Sequence, residues 1–248
     1  SYAALARRLG TDQPFYAFQA RGVEGDEAPH ATVEAMAADY LAHLRATQPR
    51  GPYRLGGWSM GGVVAFEMAR RLEAAGEAVE LLALVDSRAP GGYRAPFDPD
   101  DPGLLAGFAL HLGLAPERIP LSWAEAAALP PGERLRRAWE AARAAGVVPE
   151  DVELAGFERL WAVFRANVAA AAAYRPGPCD SDLLIVLAEE RDTPAVWEVE
   201  GWGALTTGAV RSATVAGDHF TLVREPRVAG LATVLMEELV ARAVLVSR

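Results

Sequence analysis

The chain has 248 residues, a net charge of −9 at pH 7, and 51% hydrophobic and 23% charged residues, an ordinary globular make-up sufficient for one large α/β domain or two small ones. The acidic balance argues against a nucleic-acid groove and a polybasic membrane patch, no apolar run approaches the roughly 18 residues of a membrane span, and the start carries no signal-peptide pattern. The single cysteine, Cys179, sits in a Pro/Gly-rich connection; it excludes an internal disulfide framework and fits a reducing, cytoplasmic compartment with the thiol incidental.

In chain order, Pro14–Gln19 reads as a strand. Thr32–Ala46 reads as a helix, with Val33, Met36, Ala37, Tyr40, Leu41 and Leu44 on one face. Tyr53–Trp58 fits a short buried strand. Val63, Val64, Phe66, Met68, Ala69 and Leu72 then give an apolar helix that ends at Gly76, a C-cap. Val79–Val85 is a continuous apolar strand broken only by Glu80. This alternation implies a mostly parallel sheet with helices on both faces. From about Pro90 to Arg175 no strand pattern appears, and Pro-rich breaks separate helices over Pro102–Leu112, Ser122–Leu129, Gly132–Ala145 and Leu154–Tyr174. Phe157, Leu160, Trp161, Phe164 and Val168 share one face of the last. Strands return at Asp182–Ala188 and Val210–Val215, and a helix over Pro226–Val244 closes the chain. The expectation is one α/β domain over residues 1–248 with a helical insertion at about 90–175.

Gly57-Trp58-Ser59-Met60-Gly61 lies between the Tyr53–Trp58 strand and the following helix. It reads as a nucleophile elbow, a tight turn that lifts a serine hydroxyl clear of the sheet. The turn brings backbone segments together, so a Cβ at either flanking glycine is expected to clash. The alternative is a Gly-rich turn in which Ser59 merely caps the helix. A serine hydroxyl is a poor nucleophile at neutral pH and needs a histidine to take its proton and a carboxylate to orient that histidine. Of the four histidines, His219 follows a strand near the C-terminus, where the order Ser, acid, His requires it. His30 and His43 read as solvated, and His111 as a residue of the insertion. For the acid, Asp86 ends the Leu81–Val85 strand, on the sheet edge where ligands bind in open α/β folds. Glu189, Glu190 and Asp192 follow the next strand and compete with it; topology alone does not choose. Asp218 reads as a local turn residue of the Asx type.

With these residues in place, the chain resembles the releasing thioesterase domain at the end of nonribosomal peptide synthetases, with relatives that terminate polyketide lines or proofread. The matching pieces are Tyr16-Ala17-Phe18-Gln19-Ala20-Arg21-Gly22, Pro52 through Gly62, Leu84-Val85-Asp86-Ser87 and Ala216 through Leu222. Val163 through Asn167 and Tyr174-Arg175-Pro176 extend the resemblance into the insertion. Trp58 before the serine matches the synthetase-terminal type; proofreading types more often carry histidine there. The resemblance implies an α/β-hydrolase fold, a Ser59–Asp86–His219 triad in which Asp86 is favoured over the Glu189 group, and an oxyanion hole that uses the Met60 N–H. It also implies a substrate tethered to the 4′-phosphopantetheine of an acyl or peptidyl carrier domain upstream in the same polypeptide. No directly bound cofactor, no metal, no nucleic acid and no membrane are expected.

The family begins with a further strand and a Gly-rich loop ahead of a helix, and Tyr2–Leu9 matches that helix. The expectation is therefore a chain cut at its N-terminus that lacks one oxyanion donor, a loss of typically about 2.7–4 kcal/mol of transition-state stabilisation. The expected product is a linear acid if water attacks the acyl-serine, or a ring if the chain's own hydroxyl or amine does. The insertion is expected to act as a lid that limits water and shapes the acyl pocket, with Trp161, Phe164 and His111 as lining or core residues. Two rival expectations are a free-standing serine esterase or lipase, and a non-catalytic module that holds an acyl chain.

Overall fold

A computed structural model describes residues 2–91, 101–114 and 128–246. The described elements are α1 (Ala3–Leu9), α2 (Val33–Thr47), β1 (Tyr53–Trp58), α3 (Met60–Ala74), β2 (Val79–Val85), α4 (Pro102–Leu112), α5 (Pro131–Ala144), α6 (Leu154–Ala173), β3 (Leu183–Glu190), α7 (Ala195–Gly203), β4 (Val210–Asp218) and α8 (Val228–Val246). The helix expected over Ser122–Leu129 falls almost wholly outside the described residues.

The four strands form one parallel sheet in the order β1-β2-β3-β4. Leu81–Val85 and Leu183–Ala188 are buried throughout, because strands covered on both faces have no polar side to present. One face packs Leu81, Ala83 and Val85 with Leu184, Val186 and Ala188 against Leu5 of α1 and Val228, Leu231 and Leu235 of α8. The alternate residues Leu82 and Leu84 are equally buried and point to the opposite face. On β1 and β2 lies α3, with α2 packed outside it. The register decides where function concentrates. Trp58 pairs with Val85, Val85 with Val186, and Glu190 with Asp218. All four strands therefore end at one edge of the sheet, and the residues that follow them emerge together.

The chain forms two compact units, Ser1–Phe18 with Thr32–Tyr93 and Ala171–Arg248, and Gln19–Ala31 with Arg94–Ala170. Among its described residues the second has Gln19–Ala31 irregular and carries α4, α5 and most of α6. Its core is Leu105, Phe108, Leu135, Ala138 and Phe157, joined by Trp161 and Phe164. The ring of Phe108 lies 5.2–5.4 Å from those of Phe157, Trp161 and Phe164.

One expected strand does not form. Pro14–Gln19 is irregular and pairs with no strand. Two of its aromatics make ring contacts, Phe18 stacking on Tyr40 at 5.0 Å and Phe15 lying 6.0 Å from Tyr2, and Tyr16 is exposed. Strand-like composition without a ladder partner does not make a strand. Conversely, α7 is a helix that the sequence pattern did not announce. Its sequence AVWEVEGWG is rich in β-branched and aromatic residues and carries two glycines, a poor intrinsic helix. Burial of Glu198 and Trp202 overrides that preference.

A buried carboxylate ties α3 to the chain that follows α6. Glu67 accepts bonds from Arg70 at 3.0 Å, Arg71 at 2.7 Å and the Tyr174 hydroxyl at 2.8 Å. Burial pushes the Glu67 carboxyl up, but these three donors outweigh it and hold the group below its ordinary range. Tyr174→Phe should leave the two arginines in place and remove one charge-assisted bond. The expected loss is about 2 kcal/mol, or roughly 4–8 °C in Tm for a chain of this length, read by thermal unfolding.

Candidate active site

At the end of β1 the backbone turns through Ser59 with φ 56° and ψ −124°, and α3 starts at the next residue. A positive φ at a non-glycine residue stores on the order of 1–3 kcal/mol of strain and persists only where its surroundings over-determine it. The Ser59 N–H donates to the Val85 carbonyl at 2.9 Å, and the Ser59 carbonyl accepts from Gly62 N–H at 3.0 Å. One residue back, the Trp58 N–H donates to the Tyr2 hydroxyl at 3.1 Å. The Ser59 side chain makes no capping bond to α3, so the hydroxyl is not spent on the helix. Met60 opens α3, and its N–H is one of the helix's unpaired first-turn donors at the positive end of the dipole.

The steric expectation holds at Gly57 and fails at Gly61. A Cβ on Gly57 would lie 2.0 Å from the Gly61 carbonyl carbon, whereas one on Gly61 would meet only the Tyr2 hydroxyl at 3.4 Å, an ordinary contact. The second crowded position is Gly62, where a Cβ would sit 2.0 Å from Ser87 Oγ. The close approach is between Gly57 of β1 and the backbone of Gly61 and Gly62, the second and third residues of α3.

Asp86 leaves β2 with φ 43°. One carboxylate oxygen accepts the Ala188 N–H at 2.9 Å, and the other lies 2.7 Å from His219 Nδ1. The aspartate side chain is 8% exposed and the histidine side chain 32% exposed, so the pair has a shielded side and an open one. Burial pushes the Asp86 carboxyl up. The bonds from His219 and Ala188 and the charges of His219 and Arg191 outweigh burial and hold it below its ordinary value. With Nδ1 committed to the carboxylate, Nε2 is the imidazole nitrogen left to exchange a proton.

His219 is placed by its neighbours. Its carbonyl accepts the Trp58 indole N–H at 2.9 Å, and the two rings lie 5.1 Å apart. Trp58 directly precedes Ser59, so the imidazole is held beside the elbow. Asp218 caps the turn: its Oδ1 accepts the N–H groups of Phe220 and Thr221 at 2.8 and 2.9 Å. Glu189, Glu190 and Asp192 are exposed, because β3 runs past Ala188 and carries them outward. His43 is exposed beside Asp39, and His111 packs with Phe164 in the helical unit. Cys179 is buried; burial pushes its thiol up, away from the reactive thiolate.

The structure thus brings Asp86 and His219 into contact at the sheet edge that also carries the Ser59 elbow. Sequence reasoning missed α7, whose Glu198 and Trp202 bond to the backbone just after Asp86. No motif marks them; the signal is tertiary.

A parallel sheet flanked by helices, with a serine elbow after one strand and an acid after the next, defines an α/β-hydrolase. The signature of the thioesterase domain family matches residues 1–235, and the chain belongs to that family, a family of serine hydrolases. The chain is 31% identical to the chondramide synthase of Chondromyces crocatus over 95% of its own length and 6% of that protein. It is 28% identical to an atromentin synthetase of Paxillus involutus over 97% of its length and 26% of that protein. The chain therefore spans a small part of these relatives. Among solved structures it is similar to a four-domain nonribosomal peptide synthetase bound to AMP and glycine, with 30% identity, a TM-score of 0.84, and coverage of 95% of this chain and 18% of that one. It is also similar to RedJ, a thioesterase of the prodiginine pathway in Streptomyces coelicolor, with 25% identity, a TM-score of 0.66, and coverage of 96% and 84%. Among the described residues, no helix is long and apolar enough to cross a membrane.

Proposed function

We propose that this thioesterase domain releases an acyl or peptidyl chain from the phosphopantetheine arm of a carrier domain that precedes it in the same polypeptide, in the cytoplasm. Ser59 is the nucleophile, His219 the base and Asp86 the residue that orients the imidazole. The observation that carries this reading is the 2.7 Å contact of Asp86 with His219 on the sheet edge that also bears the strained Ser59 turn.

In the first step the Ser59 oxygen bonds to the thioester carbon while its proton passes to His219 Nε2. The Met60 N–H stabilises the oxyanion. The C–S bond breaks, the carrier thiol leaves with the proton from His219, and an acyl-serine remains. In the second step water, or a hydroxyl or amine of the acyl chain itself, attacks the ester carbon. His219 takes the attacking group's proton and returns it to Ser59. Water yields a linear acid and the internal group a ring. No cofactor is bound directly, and we assign the helical insertion the role of a lid that limits water.

Incubation with an acyl thioester of a small thiol is expected to add the mass of one acyl group to the protein, located to the peptide that contains Ser59. Ser59→Ala should give no adduct and no turnover. Equal turnover by the variant overturns the reading.

A further inference from the structure

We infer that Glu198 and Trp202 of α7 are positioning residues for Asp86, acting through the backbone of the loop that follows it. The inference rests on the reading of Asp86 as the acid of the triad. Asp86 departs from β2 with a positive φ. On one side β3 holds it, through its N–H to the Val186 carbonyl at 2.6 Å and its carboxylate to the Ala188 N–H. The loop that follows is gripped from α7. The Glu198 carboxylate accepts the Ala89 N–H at 2.7 Å, and the Trp202 indole N–H donates to the Ser87 carbonyl at 2.9 Å. Trp202 is fully buried, with its ring 5.0 Å from that of Phe66 in α3, and Glu198 is buried beside the loop. Helix and loop approach as closely as atoms allow: a Cβ on Gly201 would lie 2.7 Å from the Ala89 Cβ.

The grip reaches the serine side as well. Ser87 is buried, and its hydroxyl donates to the Val85 carbonyl at 3.2 Å, the same carbonyl that accepts the Ser59 N–H. Fixing Ser87 and Ala89 therefore fixes the exit direction of Asp86 relative to the strand end that also sets Ser59. A buried carboxylate spent on one backbone N–H is costly unless that N–H must be held. Here the N–H belongs to the loop that aims the acid. A catalytic group displaced by about 1 Å typically loses about 10²-fold in rate, which sets the scale of the expected effect.

Three variants test this, with Asp86→Asn as the reference. Glu198→Met keeps the size of the side chain and removes the acceptor. Glu198→Gln keeps an oxygen that accepts the Ala89 N–H. Trp202→Phe keeps a ring against Phe66 and removes the donor. The expected result is a loss in kcat of roughly 10- to 100-fold for Glu198→Met and about tenfold for Trp202→Phe, with KM within about twofold. Glu198→Gln should restore kcat to within about threefold of the parent. The downfield proton resonance of the His219 Nδ1–H bonded to Asp86 should weaken in the first two variants and persist in the third. In an Asp86→Asn background, Glu198→Met should cost less than about twofold more, because groups that act as a unit do not add. Should Glu198→Met fail to fold, Trp202→Phe carries the same comparison. If Asp86→Asn is impaired but folded Glu198→Met and Trp202→Phe turn over like the parent, or their losses multiply with that of Asp86→Asn, the inference falls and the triad stands. If Asp86→Asn itself turns over like the parent, the triad reading falls.

Discussion

Asp86→Asn is expected to fold normally and to lose about 10⁴-fold in kcat, the scale seen when a triad aspartate becomes an amide. The loss follows from the bond pattern. Asparagine can keep its oxygen on the Ala188 N–H, so the loop need not move. Its amide then presents donors to His219 Nδ1 where the carboxylate presented an acceptor. The imidazole answers by keeping its proton on Nε2, the nitrogen that in the proposed mechanism accepts the serine proton. Glu189→Gln, Glu190→Gln and Asp192→Asn should each stay within about twofold of the parent, since exposed groups that do not contact the imidazole have no route to its tautomer. Single-turnover acylation rates for the four variants check this; a larger loss at Glu189 or Glu190 than at Asp86 rejects the assignment.

The same carboxylate sets a pH dependence. Its folded value is held below the ordinary 3.8, so the unfolded chain binds that proton first as acid is added. The stabilisation from charged Asp86 is complete above the ordinary value. It drains away only as pH falls below 3.8 towards the folded value. Denaturant titrations of the parent and Asp86→Asn should therefore differ by a constant amount at neutral pH and converge in strong acid.

Gly57→Ala is expected to destabilise the protein by about 3 kcal/mol or more, at the upper end of the cost of overpacking a filled site. For a chain of this length that corresponds to a fall in Tm of at least roughly 6–12 °C. The added methyl would meet the Gly61 carbonyl carbon at 2.0 Å, its oxygen at 2.1 Å and the Gly62 nitrogen at 2.4 Å. All three are backbone atoms of the first turn of α3, so relief requires moving the helix start, and Ser59 with it. Labelling of Ser59 by a fluorophosphonate should slow in whatever fraction folds. Gly61→Ala is the internal control. Its methyl meets only a hydroxyl at 3.4 Å, and alanine favours a helix over glycine by up to about 1 kcal/mol. It should match or exceed the parent's Tm. Equal melting of the two variants removes the steric account of the elbow.

The contrast between these glycines marks the boundary between sequence and structure. The periodicities located β1, α3, β2, β3, β4 and α8 because a buried strand must be apolar and a packed helix must repeat its apolar face every three to four residues. The Gly-Trp-Ser-Met-Gly motif announced a tight turn, yet which glycines are crowded depends on how steeply α3 leaves the sheet and on where Ser87 sits, and those are distances between segments. Pro14–Gln19 shows the converse limit. An aromatic-rich segment has the composition of a strand, but a strand exists only when a neighbour offers its hydrogen bonds. In α7 the local preference is overruled by one buried indole and one buried carboxylate.

By itself, the amino-acid order placed a serine, two candidate acid groups and a histidine after the strands of a parallel sheet, since parallel strands joined by crossovers all end on one side. Which carboxylate meets the imidazole was settled only by the fold. Strand register sets Val85 beside Val186, from where the Asp86 carboxylate reaches the Ala188 N–H, while β3 continues outward and carries Glu189 and Glu190 into solvent. The grip of α7 on the loop after Asp86 likewise exists only in three dimensions, because 109 residues separate Ala89 from Glu198 and no local pattern records a contact across such a gap.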